Sequence, residues 1–263
     1  MAMGHDDPLK VAAAIRESLS PLFDGVPTFD VPMGADAKSV REMWGLGEVR
    51  IPNLATAFEN NGVVLVPVYG CYPKAAWVRG MPVVGVPQMM SPCDRRYAVL
   101  RSLGELLGAS EEGGERFARE FLMPEGSFGA TPEYVSARDL IDLRRLWKAP
   151  FHAVASRLID LGRIDSDGYT RLMKLVRMKG LGPGGDRCAE VEEGVDPTAP
   201  GMHARMLETL VRSGMSREAV MGYVRSAMPS AGEAAVEAAV EEACGLPQGW
   251  MSWGKVVAFR KAG

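Results

Sequence analysis

Residues 97–124, YAVLRSLGELLGASEEGGERFAREFLMP, contain two apolar patterns of helical period separated by a short polar turn. In the first pattern Leu103 and Leu107 are four residues apart, and in the second Phe117 and Phe121 have the same spacing. Residues four apart lie on one face of an α-helix. The stretch therefore predicts a hairpin of two amphipathic helices.

The bounds of the hairpin follow from its capping signals. Ser110 is a favoured N-cap residue, and Glu111 and Glu112 suit the positive end of a helix dipole. We therefore expect one helix over residues 94–109 and the other over residues 110–122.

Three β-branched segments precede the hairpin, at residues 63–68, 75–80 and 81–88. Short runs of this kind between turn residues are typical of strands. Because they follow each other directly, they predict a small, mostly antiparallel sheet or meander packed by helices. Further helical patterns occupy residues 8–19, 39–44, 53–60, 133–147, 150–162, 166–179, 201–213, 216–228 and 231–243. The predicted fold class is α+β.

Composition narrows the classes of function. The chain has 47% apolar and 24% charged residues and a net charge of −3, which argues against wholesale binding of nucleic acid or membrane. Its four cysteines show no C-x-x-C spacing, and the first residues lack the apolar core of a secretory signal. We therefore expect a cytoplasmic protein that is not bound to a membrane.

The sequence of residues 51–128 resembles that of the ImmA/IrrE family of bacterial zinc metallopeptidases. The resemblance lies in IPNLATAFENNGVVLV, RRYAVLRSLGELLG and EEGGERFAREFLMP, and it continues through LWKAPFHAVASRLIDLGRIDSDGYTRLM. In all it spans roughly residues 40–180. It implies a zincin-like core of the H-E-x-x-H type, followed by helix-turn-helix-like units. The implied domains are a degenerate peptidase-like domain at 1–131, a helical segment at 132–182, a linker at 183–200 and a helical module at 201–263.

The zinc-binding and catalytic positions of the family can be assigned to residues of this chain one at a time by alignment. Alignment on Leu103-Gly104 places the first zinc histidine on Arg101, the general-base glutamate on Ser102 and the second histidine on Glu105. Alignment on the Phe-Ala pair of the second helix places the third ligand, a glutamate in the family, on Gly113.

These residue types do not suit a zinc site. Arg101 is cationic and repels a metal ion, and Ser102 is a poor base without a partner. Zinc sites of this kind need two imidazoles and a carboxylate around an open position. We therefore expect no bound zinc or other cofactor and no catalytic residues. Arg101 and Glu105, four apart on one helix, are expected to form an ion pair in the remnant cleft.

The histidines offer no replacement site, because no H-x-x-x-H spacing occurs. His152 lies in an apolar helical pattern and is expected to be a packing or surface residue. His203 lies near a predicted helix start, where a solvated side chain is expected.

Residues 132–180 form the one basic segment, with ten basic and six acidic side chains. Contact with nucleic-acid phosphates is conceivable there through Arg144, Arg145, Lys148 and Arg157. A solvated face of a packed helical subdomain is the alternative.

The resemblance as a whole implies a catalytically inactive regulatory protein that binds a repressor-type partner without cleaving it. An active hydrolase with an atypical site and a DNA-binding regulator stay open as alternatives. The oligomeric state is left open as well.

Overall fold

The computed structural model describes residues 7–70, 74–129, 135–180, 198–228 and 233–251. Most of the predicted linker at 183–200 and all of the chain after Met251 lie outside these residues. Among the described helices none is both long and apolar enough to cross a membrane.

Most helices lie where the apolar patterns predict them, within a few residues at each end, whereas the short helices at Ser20–Leu22 and Glu125–Phe128 were not predicted. The helices are α1 Pro8–Leu19, α2 Ala37–Met43, α3 Leu54–Asn60, α4 Pro92–Leu106, α5 Glu111–Leu122, α6 Glu125–Phe128, α7 Ala137–Trp147, α8 Phe151–Asp160, α9 Ser166–Met178, α10 Met202–Arg212, α11 Arg217–Ala227 and α12 Glu233–Cys244, with a short 3-10 helix at Ser20–Leu22. Together with one small sheet they make the described chain an α+β protein, as predicted.

The sheet is mixed, so the prediction of a mostly antiparallel sheet or meander is wrong. Its strands β1 Val64–Val68, β2 Ala75–Val78 and β3 Met81–Pro87 lie in the order β1-β3-β2. β3 runs parallel to β1 and antiparallel to β2. The cause is burial: β3 is buried along almost its whole length and takes the centre, whereas no residue of β2 is fully buried. Burial of this kind is not visible in the order of strands along the chain.

The antiparallel half of the sheet is a tight hairpin. Arg79 and Gly80 form its two-residue turn, with φ angles of 52° and 77°. Turns of the type I′ class need a positive φ at both central positions and match the twist of the flanking strands. This local geometry fixes β2 against β3 and leaves the other edge of β3 for β1.

The sheet separates two apolar cores. Val64, Val66 and Val68 of β1 point into a core shared with α1, α10, α11 and α12, whereas Leu65 points into a core shared with α3, α4, α5 and α7 to α9. The described chain thus has three layers, with the sheet in the middle. The proposed boundaries near residues 131 and 182 stay a prediction, although α10 to α12 share a core with α1.

The predicted helical hairpin is confirmed as α4 and α5, which pack closely. At Gly104, an added Cβ atom would lie 2.9 Å from Cβ of Phe117 and 3.2 Å from Cα of Gly114. Glycine at this position therefore allows the two helices to approach each other.

The C-terminal helices are joined to the rest of the chain by a buried carboxylate. Glu59 of α3 accepts hydrogen bonds from the backbone N–H groups of Gly201 at 2.7 Å and Met202 at 2.8 Å, and from Nη2 of Arg205 at 2.7 Å. We call these four residues the joint cluster. The carboxylate satisfies free N–H groups at the start of α10 and suits the helix dipole there.

His203 lies beside this joint and is 5% exposed, so the expectation of a solvated side chain is wrong. The residue is on the inner face of α10, which packs into the core of α1. Burial, and then the neighbouring charge of Arg16, lower the pKa of His203 to about 3. Its imidazole is therefore neutral at ordinary pH.

Candidate functional site: the outer face of the helical hairpin

The four positions transferred from the peptidase family do not meet at one point. Arg101 and Glu105 lie together on one face of α4, and Ser102 is buried at 3% exposure. Gly113 lies near the start of α5, where an added Cβ would meet Cβ of Ala109 at 3.0 Å. It lines a cavity of about 290 Å³ that neither Arg101 nor Glu105 lines.

Arg101 is the centre of an ion-pair cluster. Its Nε lies 3.3 Å from Oε1 of Glu105, and its Nη1 lies 3.2 Å from Oε1 of Glu115 on α5. The predicted pair of Arg101 with Glu105 is confirmed. The guanidinium thus bridges the two helices of the hairpin.

Tyr97 completes the cluster one helical turn before Arg101. Its hydroxyl donates a hydrogen bond to the carboxylate of Glu115 and lies 3.1 Å from that residue's backbone oxygen. Burial, and the hydrogen bond to Glu115, raise the pKa of Tyr97. We call Tyr97, Arg101, Glu105 and Glu115 the hairpin cluster.

Two further contacts surround the hairpin cluster. The imidazole of His152 lies edge-on to the ring of Tyr97, with 5.2 Å between ring centroids. Arg119 on α5 donates from Nε to Oδ2 of Asp160 at 2.8 Å. These contacts attach α8 to the hairpin beside the cluster.

Tyr97 and Glu115 were missed by the sequence reasoning, although a signal for Tyr97 is present. Tyr97, Arg101 and Glu105 are spaced four apart and so share one helix face. Glu115 depends on how α5 is rotated against α4, which the periodicity of one helix does not determine.

The residues present do not fit the catalytic zinc of the resembled family. The resemblance assigns Arg101 to a ligand position, and two carboxylates pair with it there, so a cation would have to displace it. Within the described ranges no three His, Cys, Asp or Glu side chains converge as a metal-binding group. We therefore derive no step through a metal ion.

One assignment made from the resemblance needs correction. The family pattern E..AN.FA has its glutamate six residues before the phenylalanine. Alignment on Phe117-Ala118 therefore places it on Glu111, not on Gly113. Glu111 is exposed in the first turn of α5, and this alignment assigns to it the carboxylate ligand that the resemblance implies.

The predicted phosphate-contacting residues divide into buried and exposed pairs. Arg144 is 6% exposed, with its guanidinium 4.5 Å from the ring centre of Phe151. Arg157 is 5% exposed and donates from Nε to the backbone oxygen of Met123 at 2.9 Å. Both are therefore corrected to packing residues in this conformation. Arg145 is exposed and Lys148 is half-buried.

No family model matches the chain, and the searches of curated proteins and of solved structures returned no match. The resemblance to the ImmA/IrrE family therefore stays a hypothesis that depends on the quoted motifs. Function has to be argued from the geometry of the site.

Proposed function

We propose that this chain is a non-catalytic, cytoplasmic regulatory protein of the ImmA/IrrE type, which binds a repressor-type protein without cleaving it. The observation that supports the proposal is the guanidinium of Arg101, which bridges Glu105 and Glu115 at the position that the resemblance assigns to a zinc-binding histidine. A positive charge there opposes metal binding, and both carboxylates are paired with that charge.

Neither of the two alternatives, a hydrolase or a DNA-binding regulator, is supported as well as a non-catalytic binding protein. A hydrolase that works without zinc needs an activated nucleophile beside a base. Ser102 is buried, and the hydrogen bond to Glu115 together with burial makes the hydroxyl of Tyr97 harder to ionise. A DNA-binding regulator loses two of its four proposed phosphate contacts, because Arg144 and Arg157 are buried.

The test is co-expression of the chain with a tagged repressor-type protein encoded beside its gene. We expect a complex that survives gel filtration, with the partner at full length. Cleavage of the partner that a chelator abolishes would contradict the proposal. Absence of a complex with such neighbours would contradict the binding role.

The control is Arg101→Gln combined with Glu105→Gln, which removes the ion pair without adding metal ligands. We expect this variant to leave the partner uncleaved as well, because the lost pair is not a catalytic device. Cleavage of the partner by this variant would show a reaction that uses residues other than Arg101 and Glu105.

A further inference from the structure

Two cavities lie side by side along α5. The larger, of about 680 Å³, is lined by residues of α2, the loop after it, α6 and α8, and the smaller is the cavity of about 290 Å³ at Gly113. Asp36 and Glu120 line both. The two cavities are therefore adjacent, and we call them together the α5 groove.

The length of the groove suits an extended peptide. Its lining runs from Gly113 near the start of α5 to Glu120 in the same helix, and then past the end of α5 to Gly126 in α6. At the helical rise of 1.5 Å per residue the part along α5 is roughly 10 Å long. A strand-like segment at about 3.3 Å per residue covers this part with roughly three residues, and the larger cavity beyond it has room for more.

Two buried guanidiniums hold the walls of the larger cavity in place. Arg41, 2% exposed, donates to the backbone oxygens of Gly47 at 2.8 Å and Val49 at 2.6 Å in one wall, and to that of Phe121 at 2.5 Å in the other. Arg157 donates to Met123 beside Phe121. The groove is therefore formed before any ligand arrives, which lowers the entropy cost of binding.

The charges that reach solvent in the larger cavity are mainly negative. Asp36, Glu42, Glu48 and Glu125 are exposed and Glu120 is half-buried, whereas Lys38 is the one exposed base among its lining residues. The guanidiniums of Arg41 and Arg157 lie beneath, bound to backbone oxygens. A rim of this sign attracts cationic side chains.

The smaller cavity is suited to a backbone rather than to side chains. Much of its lining consists of residues with little or no side chain, namely Gly34, Ala35, Ala37, Gly104, Gly108, Ala109 and Gly113. Glycine and alanine let a second chain approach closely. One half of the groove thus accepts main chain, and the other accepts basic side chains.

We propose that the α5 groove binds an extended basic segment from a partner protein. The inference rests on the proposed role as a binding protein and names the chemistry that the partner presents. It places recognition in the α5 groove, which does not include the hairpin cluster.

The experiment uses the full chain and a fluorescein-labelled hexapeptide library with two or three Lys or Arg per peptide, read by fluorescence anisotropy at low salt. A matched library has Glu at the same positions. We expect some basic peptides to bind with a Kd on the order of micromolar and the acidic ones not to bind. No binding by any basic peptide, or equal binding of both libraries, would overturn the proposal.

The groove variant is Glu42→Gln with Glu48→Gln and Glu125→Gln. It is expected to weaken binding at least about tenfold, because three partly exposed charge contacts are lost together. The control, Asp24→Asn with Asp142→Asn and Glu218→Gln, removes the same charge from exposed residues that line neither cavity. We expect it to change Kd less than about twofold. An equal loss of peptide affinity in both variants would mean that the net charge of the protein alone attracts the peptide, and it would reject the groove as the binding site.

A gain of binding separates the groove from a folding defect. Lys38→Glu adds a carboxylate to the rim, and we expect it to tighten basic peptides about threefold. Unchanged or weaker binding by this variant would contradict the inference. Spermine is the competitor that tests for a site for small cations, and displacement of the peptide by spermine at the peptide's own affinity would also contradict the inference. Zinc-dependent cleavage of a partner would reject the proposed function but leave peptide binding to the groove intact, so the two failures are distinguishable.

Discussion

The joint cluster and the hairpin cluster use the same kinds of residue in opposite surroundings. The side chain of Glu59 in the joint is 3% exposed and accepts three hydrogen bonds. In the hairpin, the side chains of Arg101, Glu105 and Glu115 are 29%, 38% and 31% exposed. Only the first carboxylate is removed from water, so only its partners are costly to lose.

The difference shows which charges are structural. The joint attaches α10 to α3 and cannot change without loss of stability. The ion pairs of Arg101 in the hairpin cluster contribute little to stability, because water screens them. Arg101 and Glu105 are therefore open to replacement while the helices keep their packing, whereas Tyr97 of the same cluster is buried.

The largest expected effect on stability comes from a substitution in the joint cluster. Glu59→Ala leaves the N–H groups of Gly201 and Met202 without their acceptor, and we expect the free energy of unfolding to fall by about 2–4 kcal/mol. Urea unfolding followed by circular dichroism measures the loss. In the control, Glu208→Ala in α10 removes an exposed pair with Arg212, for less than about 1 kcal/mol. Equal losses would reject the contrast in burial.

The next effect separates the packing of the hairpin from its charges. Gly104→Ala forces a Cβ against Phe117, and we expect a loss of about 1–3 kcal/mol in unfolding free energy. In contrast, Gly222→Ala in α11 places its Cβ in open space and should stabilise the chain by about 0.5–1 kcal/mol. Thermal unfolding of both variants checks the opposite signs. A neutral Gly104→Ala would mean that α4 and α5 pack less closely than described.

A pH effect on stability is expected from His203, which lies beside the joint cluster. The folded-state pKa of His203, about 3, lies below its unfolded value near 6.5. Between these values the unfolded chain takes up a proton that the folded chain does not. Stability should therefore fall as pH falls below about 6.5, by roughly 1 kcal/mol per pH unit.

The measurement for His203 is the slope of stability against pH between 6.5 and 5, in wild type and in His203→Phe. The variant keeps an apolar ring and cannot titrate, so its slope should be smaller by the amount given above. His152 is present in both proteins and contributes equally. Identical slopes would show that His203 is protonated in the folded chain.

The smallest expected effect is in the hairpin cluster. Arg101→Gln removes both ion pairs of Arg101, and we expect the free energy of unfolding to change by less than about 1 kcal/mol, with less dependence on salt than in wild type. Urea unfolding at low and high salt tests this. A loss comparable to that of Glu59→Ala would make the hairpin cluster structural, and the comparison would fail.

Much of the fold follows from local pattern. The helices, the three strands and the pair of Arg101 with Glu105 are all set by residues within a few positions of each other. The order of the strands is not, because it depends on which strand is buried on both faces. The burial of His203 and the capping of α10 by Glu59 depend on contacts between residues more than 140 positions apart.

The candidate site shows the same limit. Spacing along α4 identifies Arg101 and Glu105 as neighbours, whereas Glu115 joins them from another helix. The α5 groove was not predicted at all, because its lining comes from α2, α5, α6 and α8. Burial of Arg144 and Arg157 likewise depends on packing against Phe151 and Met123, which charge counting along the basic segment does not detect.

The most direct test of the account is zinc binding measured by calorimetry, on wild type and on a variant with Arg101→His, Ser102→Glu and Glu105→His. If the hairpin holds an ion-pair cluster in place of a zinc site, wild type gives no binding heat. The triple variant, with Glu111 retained, then binds one zinc ion per chain with a Kd on the order of micromolar or tighter. Tight stoichiometric zinc binding by wild type, or none by a folded triple variant, would contradict the account.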